Sequence, residues 1–229
     1  MTCQPEKQEL ARQLCRAGRS LFRQGFTPAN GGNLSVRCPD GHILITPSGV
    51  SKGELRPGMI LELDEHGTPQ YGGAVPSVEA PLHLAVLGGQ PDLHCVIHAH
   101  PPHGVAMSLL GQDLVQPVIT DACLLGIIPV LPYAPIGSPE LAAQTGAAAA
   151  RYNGALLARH GACTWGRSIQ EALFLMEMLE HVCRQLCLMR MMGHAGALGR
   201  EESDQLIQMR RRSGRWRGGE HMPPLDGEV

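Results

Sequence analysis

The residues best suited to chemistry concentrate in Val96-Ile97-His98-Ala99-His100-Pro101-Pro102. The apolar run Cys95–Ile97 reads as a buried strand, and side chains two apart on a strand share a face, roughly 6–7 Å apart. Two imidazoles so placed can converge on a small cation such as zinc. A polar strand end with two solvated histidines is the alternative, and His98 and His100 alone do not choose between them. His160, at the end of the apolar run Ala155–Ala158 and followed by Gly161, adds a third imidazole. Three histidines are the minimum set for a catalytic zinc with open positions. Glu79 follows Ser77 at the start of a helical pattern, with Ser77 the expected N-cap and Glu79 in the first turn. A carboxylate there complements the helix dipole, and His83 four residues on offers it a surface pair, so a purely structural glutamate is also open. Thr46-Pro47-Ser48-Gly49-Val50-Ser51-Lys52-Gly53 has the hydroxyls and glycines of an anion-holding loop after a strand. An ordinary polar turn is its other reading.

These side chains need a frame. Glu6–Gln24 carries Leu10, Leu14, Ala17, Leu21 and Phe22 at helical spacing, and Gly25 closes it. Asp40-Gly41 marks a hairpin between strands near Asn33–Arg37 and His42–Thr46. A strand is expected over Met59–Leu63 and a short helix over Gly104–Leu110. Ser138 caps, and Pro139 opens, an Ala-rich helix to Ala150. Ser168 caps a longer one whose apolar stripe runs from Ala172 to Met189.

Composition narrows the class. With 229 residues, 43% hydrophobic and 17% charged, the chain is long enough for one sizeable core. A net charge of −2 argues against a nucleic-acid surface, and 3% aromatics leave no base-stacking platform. The basic group Arg210-Arg211-Arg212, Arg215 and Arg217 reads as a solvated helix end entering a frayed terminus. No run approaches the ~18–20 apolar residues of a membrane span, and the first residues form no secretory signal. Eight cysteines without a CxxC suit the reduced thiols of a cytoplasmic protein. One α/β domain over residues 1–213 and a flexible tail over 214–229 are expected.

Gly32-Asn33-Leu34-Ser35-Val36-Arg37, Thr46-Pro47-Ser48-Gly49, Pro76-Ser77-Val78-Glu79, Val96-Ile97-His98-Ala99-His100, Pro132-Tyr133-Ala134 and His160-Gly161 stand in the order of a known family. In these segments the chain resembles the class II aldolase/adducin family over roughly residues 7–195. Within the family it resembles the branches that cleave L-fuculose 1-phosphate or epimerise ribulose phosphate. The resemblance implies a three-layer α/β/α domain around a largely antiparallel sheet, assembled as a homotetramer. It implies that His98, His100 and His160 hold a divalent metal (Zn2+, or Mn2+ or Co2+), that Glu79 is the acid/base, and that Asn33, Ser48, Gly49 and Ser77 take a sugar phosphate. The expected reaction is aldol cleavage of a ketose 1-phosphate of the fuculose, 5-deoxyribulose or 5-methylthioribulose kind. The products are dihydroxyacetone phosphate and an aldehyde, formed through a metal-stabilised enediolate. No Schiff base forms, so Lys52 is not needed as a nucleophile. Epimerisation of a pentulose 5-phosphate, decarboxylation of a 3-oxo-acid phosphate and dehydration of methylthioribulose phosphate use the same site. A non-catalytic, adducin-like binding module is the reading of another class. Three departures bear on substrate choice. Val78 replaces a second phosphate-binding serine, Arg159 precedes His160, and neither Val118–Leu125 nor the stretch after Met191 holds the tyrosines of the fuculose-phosphate branch.

Overall fold

The structure is a computed structural model and describes residues 3–70, 75–111, 114, 118–193 and 198–213. The expected tail, 214–229, with Arg215 and Arg217, lies outside them. Helix α1 (Cys3–Arg23) leads into strands β1 (Asn33–Arg37), β2 (Ile43–Ile45) and β3 (Leu61–Leu63), the last entered through a 3-10 turn over Pro57–Met59. Then come α2 (Ala80–Gly89), β4 (Cys95–Ala99), α3 (Pro102–Ser108), α4 (Thr120–Leu125), β5 (Val130–Leu131), α5 (Pro139–Ala149), β6 (Gly154–Leu157), β7 (Gly161–Gly166), α6 (Ile169–Met191) and α7 (Arg200–Ser213). The sheet order is β3-β2-β1-β4-β7-β6-β5, antiparallel throughout except for the β5–β6 pair.

Alternation along the strands builds the three layers. On one face Leu34, Val36, Leu44, Cys95, Ile97, Ala99, Leu156 and Ala162 meet Leu14, Ala17 and Leu21 of α1 and Leu175, Met176 and Leu179 of α6. On the other, Ile43, Val96, Ala155, Leu157, Cys163 and Trp165 pack on Leu82, Val86 and Leu87 of α2 and Leu141 and Ala148 of α5. Each fully buried aliphatic side chain contributes roughly 1.5–3 kcal/mol, which fixes the register of the central strands. Ser138 Oγ accepts from Leu141 N, and Ser168 Oγ from Glu171 N, as their N-cap positions predict.

Two expectations need correction. Ser77 does not cap α2. The helix starts at Ala80 with Pro81 in its first turn and Glu79 at the N-cap, and the Ser77 hydroxyl accepts instead from Glu79 N at 3.3 Å. Nor do Glu79 and His83 form a surface pair, for both are buried, at 5% and 0% exposure.

Candidate metal centre and acid–base site

His98 is the fourth residue of β4, at the middle of the sheet, and pairs in register with Asn33 of β1 and Cys163 of β7. Pro101 and Pro102 stop the strand just beyond His100, so the second imidazole stands at the strand mouth. His160 arrives from the β6–β7 hairpin turn, where His160 N donates to Leu157 O. The His98 and His100 Nε2 atoms are 3.1 Å apart, and one ligand atom from each of the three histidines lies within 4.8 Å of the others.

Glycines permit this convergence. A Cβ on Gly161 would stand 2.5 Å from Ala99 O, 2.7 Å from His100 Cδ2 and 3.0 Å from His98 Cε1. One on Gly31 would meet His100 Nδ1 at 2.8 Å.

The donor set suits a cation. His98 Nδ1 lies 3.0 Å from Ala162 O and donates to it, which fixes the tautomer and leaves the Nε2 lone pair facing inward. Burial first, then the neighbouring His100 and His160, holds His98 well below the usual imidazole range, and burial also lowers His100. The two Nε2 atoms can share one proton as a hydrogen bond, and a divalent cation can take that proton's place. A divalent metal held by His98, His100 and His160 fits this cradle.

Glu79 closes the cradle. Its Oε2 is 3.3 Å from His98 Nε2 and its Oε1 3.5 Å from His160 Nε2. Asn33 Nδ2 donates to Glu79 Oε2 at 2.8 Å and to Ser77 Oγ at 2.9 Å. Asn33 Oδ1 accepts from His83 Nε2, and His83 Nδ1 accepts from the Ser35 hydroxyl at 2.7 Å. Burial pushes His83 down to about 3, so it stays neutral and keeps this single hydrogen-bond sense. The chain Ser35–His83–Asn33 thus pins one oxygen of Glu79. The other, Oε1, is buried with no hydrogen-bond donor among the described residues.

The sequence-derived anion residues come together in part. A bridge between Pro47 and Pro76, with Ser48 N donating to Val75 O, draws the Thr46–Gly53 loop beside Ser77. Ser48 N–H is therefore spent, while its hydroxyl has no partner among the described residues. Ser77 Oγ accepts two hydrogen bonds, which leaves its own proton to donate. Gly49 turns the loop at φ 74°. Asn33 joins these groups through Ser77, although its amide is committed to the protein. Sequence reasoning missed His83 and Ser35. Their signal was alternation: Ser35 shares a strand face with Asn33.

The Class II Aldolase and Adducin N-terminal domain family matches residues 12–187. The chain is 35% identical over 181 residues to a 3-oxo-tetronate 4-phosphate decarboxylase of Cupriavidus necator, covering 77% of this chain and 82% of that one. It is 35% identical over 185 residues to a methylthioribulose-1-phosphate dehydratase of Methylococcus capsulatus, covering 75% and 90%. The crystal structure of L-fuculose-1-phosphate aldolase from Thermus thermophilus superposes with a TM-score of 0.73 at 32% identity, covering 82% of this chain and 98% of that one.

Proposed function

Because the chain belongs to the class II aldolase/adducin family, we propose that it is a divalent-metal carbon–carbon lyase acting on a phosphorylated sugar, with aldol cleavage of a ketose 1-phosphate as its reaction. The observation that carries this is Glu79, one oxygen pinned by Asn33 and the other free of donors, set against two of three converging histidines. When bound, a zinc or similar ion on His98, His100 and His160 would act as a Lewis acid toward the substrate's carbonyl and adjacent hydroxyl oxygens.

The chain's own residues do the rest. Ser48, Gly49 and Ser77, with Asn33 behind them, bind the phosphate and orient the sugar. The fourth carbon's hydroxyl gives its proton to water, the bond between the third and fourth carbons breaks so that the far fragment leaves as the aldehyde, and the third carbon keeps the electron pair. Glu79 Oε1 moves a proton at that third carbon, giving dihydroxyacetone phosphate.

Decarboxylation of a 3-oxo-acid phosphate is the second reading, favoured by the similarity to the Cupriavidus necator decarboxylase. It also needs no base for a substrate hydroxyl, and no tyrosine among the described residues bonds to Glu79 or the three histidines. A metal-loaded homotetramer is part of the same proposal, checked by sedimentation and metal analysis. The deciding experiment offers a panel of 1-phosphoketoses and 3-oxo-acid phosphates with and without chelator, following dihydroxyacetone phosphate and carbon dioxide. Chelator-sensitive release of the first supports the aldolase and of the second the decarboxylase. Neither product from any substrate would sink the lyase reading.

A further inference from the structure

Lys52 is 1% exposed, yet it lies in a loop. Its Nζ donates to Asn30 O at 3.0 Å and to Val50 O at 2.6 Å. The third ammonium proton has no partner among the described residues, and no carboxylate among them pairs with it. Close packing seals it in. A Cβ on Gly18 of α1 would come within 3.2 Å of Lys52 O, and one on Gly53 within 2.6 Å of the Phe22 ring. Arg19, also on α1, is bonded to Leu55 O.

A buried charge without a counter-ion is costly and is expected where a ligand completes it. Burial alone pulls this ammonium down to about 8, so it is still charged at neutral pH. Its two acceptors belong to the two segments that frame the candidate anion pocket. Asn30 precedes Gly31, which packs on His100, and Val50 follows Ser48 and Gly49. The charge also reaches the metal histidines, for it is among the influences that depress His98 and His100.

We propose that Lys52 is the resident cation of the phosphate pocket, a positioning residue that clamps the Asn30 turn to the Val50 loop and whose uncompensated charge the substrate's phosphate balances. This rests on the reading of the substrate as a phosphorylated sugar. It also accounts for Val78: where a second serine is missing, a fixed charge behind the loop supplies the lost attraction.

The test uses the metal-loaded, full-length protein and inorganic phosphate as the probe, with calorimetry for affinity. Lys52→Met keeps the shape and removes the charge. Its phosphate dissociation constant should rise tenfold or more, while metal content and affinity for a dephosphorylated ketose stay within twofold. Lys52→Arg should recover much of the phosphate affinity. Lys52→Met binding phosphate as wild type does, or losing the neutral ketose equally, would overturn the charge role and leave the lyase reading intact. Should Lys52→Met not fold, NMR of the wild-type lysine side chain decides. A Lys52 resonance that moves on phosphate saturation supports the proposal, and one that stays fixed overturns it. Wild type that binds no phosphate would overturn both this inference and the phosphorylated-substrate reading.

Discussion

Asn33 turns its amide nitrogen, not its oxygen, toward Glu79, and the 2.8 Å bond between them holds the carboxylate against the histidines. The orientation is forced from behind, since Asn33 Oδ1 accepts from His83 Nε2. Asn33→Asp would place an acceptor where the donor stood. A hydrogen bond to a charged group contributes about 1.5–3 kcal/mol, so kcat should fall roughly 10- to 150-fold. Steady-state kinetics with parallel metal analysis checks this. Unchanged kcat would mean that Glu79 needs no such hold.

His83 makes the fold sensitive to acid. Its pKa is near 6.5 in the unfolded chain and about 3 in the folded one. Between those values the unfolded chain binds the extra proton, so stability falls as pH drops below 6.5 and is regained as pH rises. The loss from this group is on the order of 2 kcal/mol at pH 5. Urea melts of chelator-treated protein at pH 7 and pH 5 measure it. His83→Gln, which keeps a donor for Asn33, should flatten the dependence and retain more activity than His83→Leu.

Gly161→Ala tests the close approach of the histidines. The added methyl would need Ala99 O and both rings of β4 and its mouth to give way, at distances of 2.5–3.0 Å. Metal affinity should drop at least tenfold while the sheet still folds. Competition with a fluorescent chelator reads the affinity, and circular dichroism the fold.

Glu79→Gln and His160→Ala should separate chemistry from binding. The glutamine variant is expected to keep its metal and lose 100-fold or more in turnover, because it cannot carry the proton. The alanine variant should lose the metal itself. Wild-type turnover by Glu79→Gln would remove the acid/base role.

Arg159 has φ 61° at the third position of the Leu157–His160 turn, a conformation that favours glycine. Arg159→Gly should therefore raise stability by about 0.5–1 kcal/mol, measured by denaturant midpoint. A fall in activity alongside that gain would mark the guanidinium as part of substrate recognition.

Period and punctuation made much of this legible. The two-residue repeat of β4, carried one residue past its end, set His98 and His100 toward one side, and Ser138 and Ser168 marked helix starts that the structure keeps. What stayed hidden depends on contacts between distant segments. Glu79 and His83 read as helix neighbours, yet their link runs through Asn33 on β1, 46 and 50 positions away. Ser77 read as a cap because hydroxyls usually are, whereas here it serves Glu79 N and Asn33. Lys52 read as a loop lysine, since nothing local signals burial by α1.

With a metal held as proposed, the ring nitrogens of His98 and His100, 3.1 Å apart, would tie the protein's lifetime to metal supply. Only the folded chain brings these groups together, so metal binding adds about RT ln(1 + [M]/Kd) to stability, roughly 4 kcal/mol at a thousandfold excess over Kd. Starved of metal, the chain would forgo that term. Its unfolded fraction would then rise about a thousandfold, and proteases that act on opened chains would clear it first.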